Sequence, residues 1–325
     1  MEHTTPSKLV LPSETAAKPA AEADARSGTS TLTVVIPAYN AAPTIGQVLE
    51  ALAAQDPAPD EVIVVDDGST DDTAAVAAAL GARVVSTDHK GFAGGARNRG
   101  WSEATGDTVV FLDADAVPDP DWGAAMRRAV AEHPGAVIGA ARTFTARTAW
   151  GWVAHLQVES PYLPTGEPRE VSFVSSYCLA VPRELDVRFD ESYGGEDAVF
   201  SLDVHSRGLP QVFDPRIVAA HRHLRESYAD LRSQQRRLAY GLARCGAVQR
   251  EGAHRRLLSR VPIHYFLLAR LPIIYRRLGS FPELRRRFVR HLPRLVFAEW
   301  TLGASAFRYA LRRPPLRGDA PVDYD

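Results

Sequence analysis

Two aspartates separated by one alanine, Asp113 and Asp115, follow directly on an apolar run in VVFLDADAVPDPDW. Carboxylates placed just past a buried strand sit where the sheet holds the backbone while the side chains face solvent or ligand. Oxygen ligands suit hard ions such as Mg²⁺ or Mn²⁺, which commonly bridge one or two carboxylates and the phosphates of a substrate. The competing use of such a pair is a turn in which aspartate hydrogen-bonds its own backbone. Three more stretches carry reactive groups. In VVDDGST, Asp66 and Asp67 again end an apolar run, placed to accept hydrogen bonds from a nucleobase imide or ribose hydroxyls, or to make an Asp-Gly turn. In GGARNRG, glycines permit close backbone approach, a helix N-terminus favours anions, and Arg97 or Asn98 can contact a nucleotide. GGEDAVF offers Glu196 and Asp197 at a helix start, as an acidic first turn or as a general base on a closely turned loop.

The elements around these residues alternate. TLTVVIPAYN reads as a buried strand stopping at Pro37, and TIGQVLEALAAQ as a helix with Ile45, Val48, Leu49 and Leu52 on one face. DEVIVVDDGSTDDTAAVAAAL repeats strand, polar turn and helix, with Thr70 or Asp71 as cap. ARVVST and GDTVVFLDADA supply two more strands, with the glycine-rich turn and a helix between them. This order predicts an α/β fold with a mostly parallel sheet and ligands at the carboxyl ends of its strands. From about Pro134 the pattern loosens. GAVIGAARTF and FVSSYCLAVPREL read as strands, TAWGWVAHLQVESPYLPTGEPREV as an irregular, substrate-facing loop, RFDESYGGEDAVFSLDVHSRG as a loop entering a helix at Glu196, and LPQVFDPRIVAAHRH as a short strand pair.

Taken in order, VVIPAYN, VVDDGSTDDT, GGARNRG, FLDADA, GGEDAVF and HRH resemble the inverting glycosyltransferases of family 2, over about residues 31–224. The resemblance implies the GT-A fold, a nucleoside diphosphate sugar as donor, a divalent metal (Mn²⁺ or Mg²⁺) and a hydroxyl acceptor. It assigns the nucleobase to Asp67, with Asp66 as a neighbour or structural partner and Tyr39 near the base or ribose; Pro37 belongs to this wall or simply ends its strand. It puts Asp115 on the metal, Asp113 nearer the ribose or held through water, and His223 or His221 as a further ligand, an imidazole that would tilt the choice toward Mn²⁺. The base is Asp197, with Glu196 in support. SSYCLAV stands where many relatives carry a Gly-Asn pair, which leaves donor sugar and acceptor open.

Composition sets the frame. The 325 residues are 45% hydrophobic and 24% charged with net charge -1, an ordinary globular balance with no global sign of a nucleic-acid binder. The charge is uneven: 22 Arg and 8 acids fall between Arg222 and Asp325. Residues 1–30 read as a disordered leader without a signal-peptide pattern, 31–224 as the GT-A domain, and 225–325 as an Arg-rich helical extension. Cys178 and Cys245 are too few for a disulfide framework and read as small core residues, which fits a cytoplasmic protein. No apolar run reaches the length of about 20 residues that spans a bilayer. Basic, aromatic segments such as RRLGSFPELRRRFVRHLPRLVFAEW either bind an anionic membrane surface, useful for a lipid-linked acceptor, or pack on the domain with Arg outward. Two other functions fit parts of the pattern: a sugar nucleotidyltransferase, whose glycine-rich basic loop for a triphosphate is missing near the N-terminus of this sequence, and a membrane-associated binding or scaffold protein without turnover, which would require a broken site, whereas every acidic position is intact.

Overall fold

The computed structural model describes residues 30–87, 91–222, 225–248 and 269–312. The leader expected over 1–30 lies, but for its last residue, outside them, as does His223. Strands β1 (Leu32–Ala38), β2 (Glu61–Asp66), β3 (Arg83–Ser86) and β4 (Thr108–Leu112) alternate with helices α1 (Ala42–Ala53), α2 (Thr73–Ala79) and α3 (Phe92–Glu103). These four strands lie side by side in the order β3-β2-β1-β4, all parallel; β1, β2 and β4 bury apolar residues on both faces, while β3 at the edge is only half-buried. β1 runs to Ala38, one residue past the expected stop. Pro37 is tolerated because the register with β4 ends at Val35↔Phe111, so no partner needs its missing N–H.

The sheet continues through β5 (Ala116–Pro118), β6 (Val137–Phe144), β7 (Arg169–Glu170), β8 (Cys178–Pro182) and β9 (Gln211–His221), with α4 (Trp122–Glu132), α5 (Ala149–Glu159) and α6 (Glu196–Ser206) between them. Beyond β4 the order is β8-β6-β9-β5, with β7 also on β9; β6 and β9 are parallel and the remaining pairs antiparallel. Two expectations are corrected here. The stretch read as a substrate-facing loop contains α5, capped by Thr148, whose hydroxyl accepts from Gly151 N at 3.0 Å. Eight of its residues are buried, so no polar face gave a helical period. The segment read as a strand pair is one long strand, β9, with an irregularity opposite Ala140/Ala141 where Asp214 and Val218 take successive partners.

The Arg-rich extension folds onto this unit. Helices α7 (Tyr228–Val248), α8 (Leu271–Arg277), α9 (Pro282–Arg290) and α10 (Leu292–Arg312) bury Leu231, Ile274, Leu278, Phe288 and Leu295 against Trp152, Val153 and Leu156 of α5. Cys178 is buried in the core; the side chain of Cys245 lies outside the described residues. No described helix is long and apolar enough to cross a membrane.

Candidate active site

A cleft of about 1060 Å³ opens at the carboxyl ends of β1, β2 and β4. Pro37, Tyr39 and Asp67 line one end, Asp113, Asp115 and His221 the middle, and Glu196 and Asp197 the far side. Each is set by backbone geometry. Asp67 follows β2, with its N–H donating to Ala38 O at 2.8 Å, and its Oδ1 accepts from Gly91 N at 2.7 Å and Thr87 Oγ1 at 3.1 Å. Asp66 instead holds the DDGST turn, accepting from Ser69 N at 3.1 Å, and does not line the cleft. The turn is tied to the end of β1 through Asn40, whose Oδ1 accepts from Thr70 N at 2.8 Å.

Asp113 and Asp115 occupy the tight turn between β4 and β5, where Ala116 N donates to Asp113 O at 2.9 Å. β5 pairs with β9 in the register Ala116↔His221, and Arg222 N donates to Asp115 O at 2.8 Å. This register, invisible in the chain order, brings His221 Nε2 to 3.4 Å from Asp115 Oδ1. One ligand atom each from Asp113, Asp115 and His221 lies within 4.8 Å of the others. Two carboxylates and an imidazole at that spacing fit a divalent cation, and the imidazole suits Mn²⁺ better than Mg²⁺.

Behind His221 stands a buried chain that sequence reasoning missed. His221 Nδ1 lies 3.0 Å from Glu159 Oε1, and Glu159 Oε2 accepts from Arg142 Nη1 at 2.7 Å. The Arg142 guanidinium is sandwiched between the rings of Tyr162 and Tyr177, 4.2 and 3.8 Å from their centroids. Burial alone would raise the Glu159 pKa, but Arg142 and His221 hold it far below the usual carboxylate range. Burial would likewise lower that of His221, but Glu159 and Asp115 on either side push it up to about 9. The site therefore favours positive charge at this point, the electrostatic demand that a bound cation meets. The available signal was charge inside apolar sequence: Arg142 and Glu159 interrupt hydrophobic runs, and such residues are rarely buried unless paired.

Arg97 joins the two acidic groups. It is 3% exposed, donates from Nη2 to Asp113 Oδ1 at 2.8 Å and from Nη1 to Glu196 Oε1 at 3.2 Å. Asn98 points the other way: its amide donates to Phe189 O and Glu191 Oε1, both at 2.9 Å, and its Oδ1 accepts from Phe189 N at 3.0 Å. It does not line the cleft. Asp197 stands in the first turn of α6, which starts after Gly194 and Gly195 with their left-handed φ of 72° and 79°. Its sunken position, and then Glu196 beside it, push its carboxyl up to about 7. Arg225 and Arg237 also line the cleft. Burial and then the nearby Arg237 charge lower the Arg225 pKa, an arrangement that an anion would relieve.

A mostly parallel sheet with acids at its carboxyl edge, and a second acidic pair across the cleft, is the architecture of the GT-A class of glycosyltransferase. Residues 33–188 match the family model for Glycosyl transferase family 2, so the chain carries a domain of that family. It is similar to the Succinoglycan biosynthesis protein ExoO of Rhizobium meliloti, 41% identical over 93 residues that make up 28% of this chain and 27% of that protein. It is also similar to the glucosyl-3-phosphoglycerate synthase of Mycolicibacterium paratuberculosis, 40% identical over 109 residues, 31% of this chain and 33% of that one. The chain thus spans roughly a quarter to a third of the length of these curated relatives. Among solved structures, the mannosyltransferase PcManGT from Pyrobaculum calidifontis, in complex with GDP-Man and Mn²⁺, shares the fold with a TM-score of 0.59 at 21% identity, covering 89% of each chain.

Proposed function

We propose that the protein transfers a sugar from a nucleoside diphosphate sugar to an acceptor hydroxyl, with inversion and with a divalent cation held by Asp113, Asp115 and His221. The observation that carries this reading is Arg97, which fixes Asp113 and Glu196 to one guanidinium and so places the candidate metal ligands and the candidate base loop across one cleft. Asp67 and Tyr39 receive the nucleoside. Asp197 takes the proton of the acceptor hydroxyl as its oxygen bonds to the anomeric carbon, while the bond from that carbon to the diphosphate oxygen breaks and the nucleoside diphosphate departs. When bound, the cation neutralises charge developing on the diphosphate. A carboxyl tuned to about 7 suits a base working near neutral pH. Nucleoside diphosphate release from a panel of donors, with Mn²⁺ or Mg²⁺ and with EDTA, tests the reading. Release by the wild type that EDTA and Asp115→Ala abolish supports it, and metal-independent release refutes the cation's role.

The extension supports a second element of the reading, attachment to an anionic bilayer surface. On α10, Leu292, Val296, Phe297, Trp300 and Phe307 are all exposed on the side opposite the buried Leu295, Ala298 and Leu302. Arg294 and Arg308 flank this face, and between residues 269 and 312 ten arginines stand against only Glu283 and the buried Glu299. Apolar and aromatic side chains on a helix with surrounding arginines match the interface of a membrane rich in anionic lipid.

A further inference from the structure

The loop carrying Asp197 is clamped from two sides, and one side is the extension. Toward the nucleotide end, a Cβ on Gly94 of α3 would run into Asp190 O, and Asn98 holds the backbone of Phe189 at both its N–H and carbonyl. The first glycine of GGARN, Gly94, therefore serves close packing between α3 and the base loop. Toward the extension, α7 meets the loop backbone to backbone: a Cβ on Gly241 would lie 3.2 Å from both Cα and N of Gly195. Arg244, one turn further along α7 and fully buried, donates from Nη1 to Gly194 O at 2.9 Å and pairs through Nη2 with Asp190. Asp190 in turn accepts from Ser192 N at 2.7 Å. One arginine thus grips both ends of the segment 190–194, two residues ahead of Glu196.

We propose that Arg244 and Gly241 of α7 are positioning residues that set where the Asp197 carboxylate stands, so that the C-terminal extension completes the active site. The role rests on Asp197 as the base. It follows from the two left-handed glycines: at Gly194 and Gly195 the backbone is intrinsically permissive, and an external grip is what fixes the direction in which α6 starts. Proton transfer is sensitive to such placement, and a shift of about 1 Å can lower the rate about 10²-fold.

The test compares Gly241→Ala, Arg244→Ala and Arg244→Lys in the full chain. Alanine suits a helix better than glycine, so Gly241→Ala displaces the loop without weakening α7 and remains informative if Arg244→Ala fails to fold. Titration with UDP and GDP in the presence of Mn²⁺ should give wild-type affinity for whichever nucleotide the wild type binds. Turnover should fall about 10- to 100-fold in Arg244→Ala and about 3-fold in Gly241→Ala, where the added methyl moves the loop by less than about 1 Å. Lysine, which keeps the charge beside Asp190 but lacks the fork, should recover part of the loss. Combined with Asp197→Asn, neither substitution should slow the enzyme further, because both act through that carboxylate. Wild-type turnover in Gly241→Ala and Arg244→Ala, or additive losses in the combined variants, overturns the positioning role. A parallel loss of nucleotide affinity and turnover also overturns it, as the mark of general structural damage. Wild-type turnover in Asp197→Asn alone removes the base assignment and this role with it.

Discussion

Glu159 meets His221 Nδ1 at 3.0 Å from the protein interior, on the side of the imidazole opposite Asp115. A carboxylate there fixes which nitrogen faces the cleft and holds the ring plane, as an outer partner does for a ligating histidine. Glu159→Gln should therefore weaken Mn²⁺ binding about 10- to 100-fold, read by titration calorimetry or Mn²⁺ EPR on the protein without donor. The same change leaves Arg142 charged and buried without its partner, so melting should also fall, by the equivalent of about 3–5 kcal/mol. Unchanged Mn²⁺ affinity in a folded Glu159→Gln variant would show that the pair is structural only.

The pH dependence has a defined sign. Burial and Glu196 raise the Asp197 pKa to about 7, and a general base works only when ionised. With Mn²⁺ saturating at every pH, so that His221 stays deprotonated on the cation, turnover should be constant above this point and fall about tenfold per pH unit below it. Glu196→Gln removes the neighbouring charge, so the acid limb should move to lower pH whatever happens to the maximal rate. A limb that stays in place assigns the titration to another group.

Flotation tests the exposed face of α10. The wild type should float with vesicles containing phosphatidylglycerol, less so at high salt, and remain below with pure phosphatidylcholine. Trp300→Glu with Phe307→Glu should abolish flotation without altering nucleotide binding. Absence of flotation in the wild type refutes the membrane reading, and a dimer that the double substitution dissociates would assign the face to self-association.

The α/β framework was legible because its first four strands are short, β-branched and punctuated by DDGST and LDADA, each at a strand end. The helix α5 was not, because burial all round erases the period that marks an amphipathic helix. Asp113, Asp115 and His221 could be named from the sequence, but the approach of His221 to Asp115 depends on the β5–β9 register, which places His221 opposite Ala116. Glu159 and Arg142 escaped for the same reason: they reach His221 only through sheet order, from 62 and 79 positions away along the chain. In GGARNRG, Arg97 and Asn98 stood as equals in sequence, whereas helical geometry turns Arg97 into the cleft and Asn98 onto the loop before α6.

The most direct measurement is transfer by Asp197→Asn, using the donor identified in the panel, alongside binding of that donor with Mn²⁺. Asparagine keeps the size and a hydrogen-bonding oxygen but cannot accept the acceptor's proton. The account predicts wild-type donor affinity and a loss of turnover of about 10²- to 10⁴-fold. Turnover at the wild-type rate would contradict it.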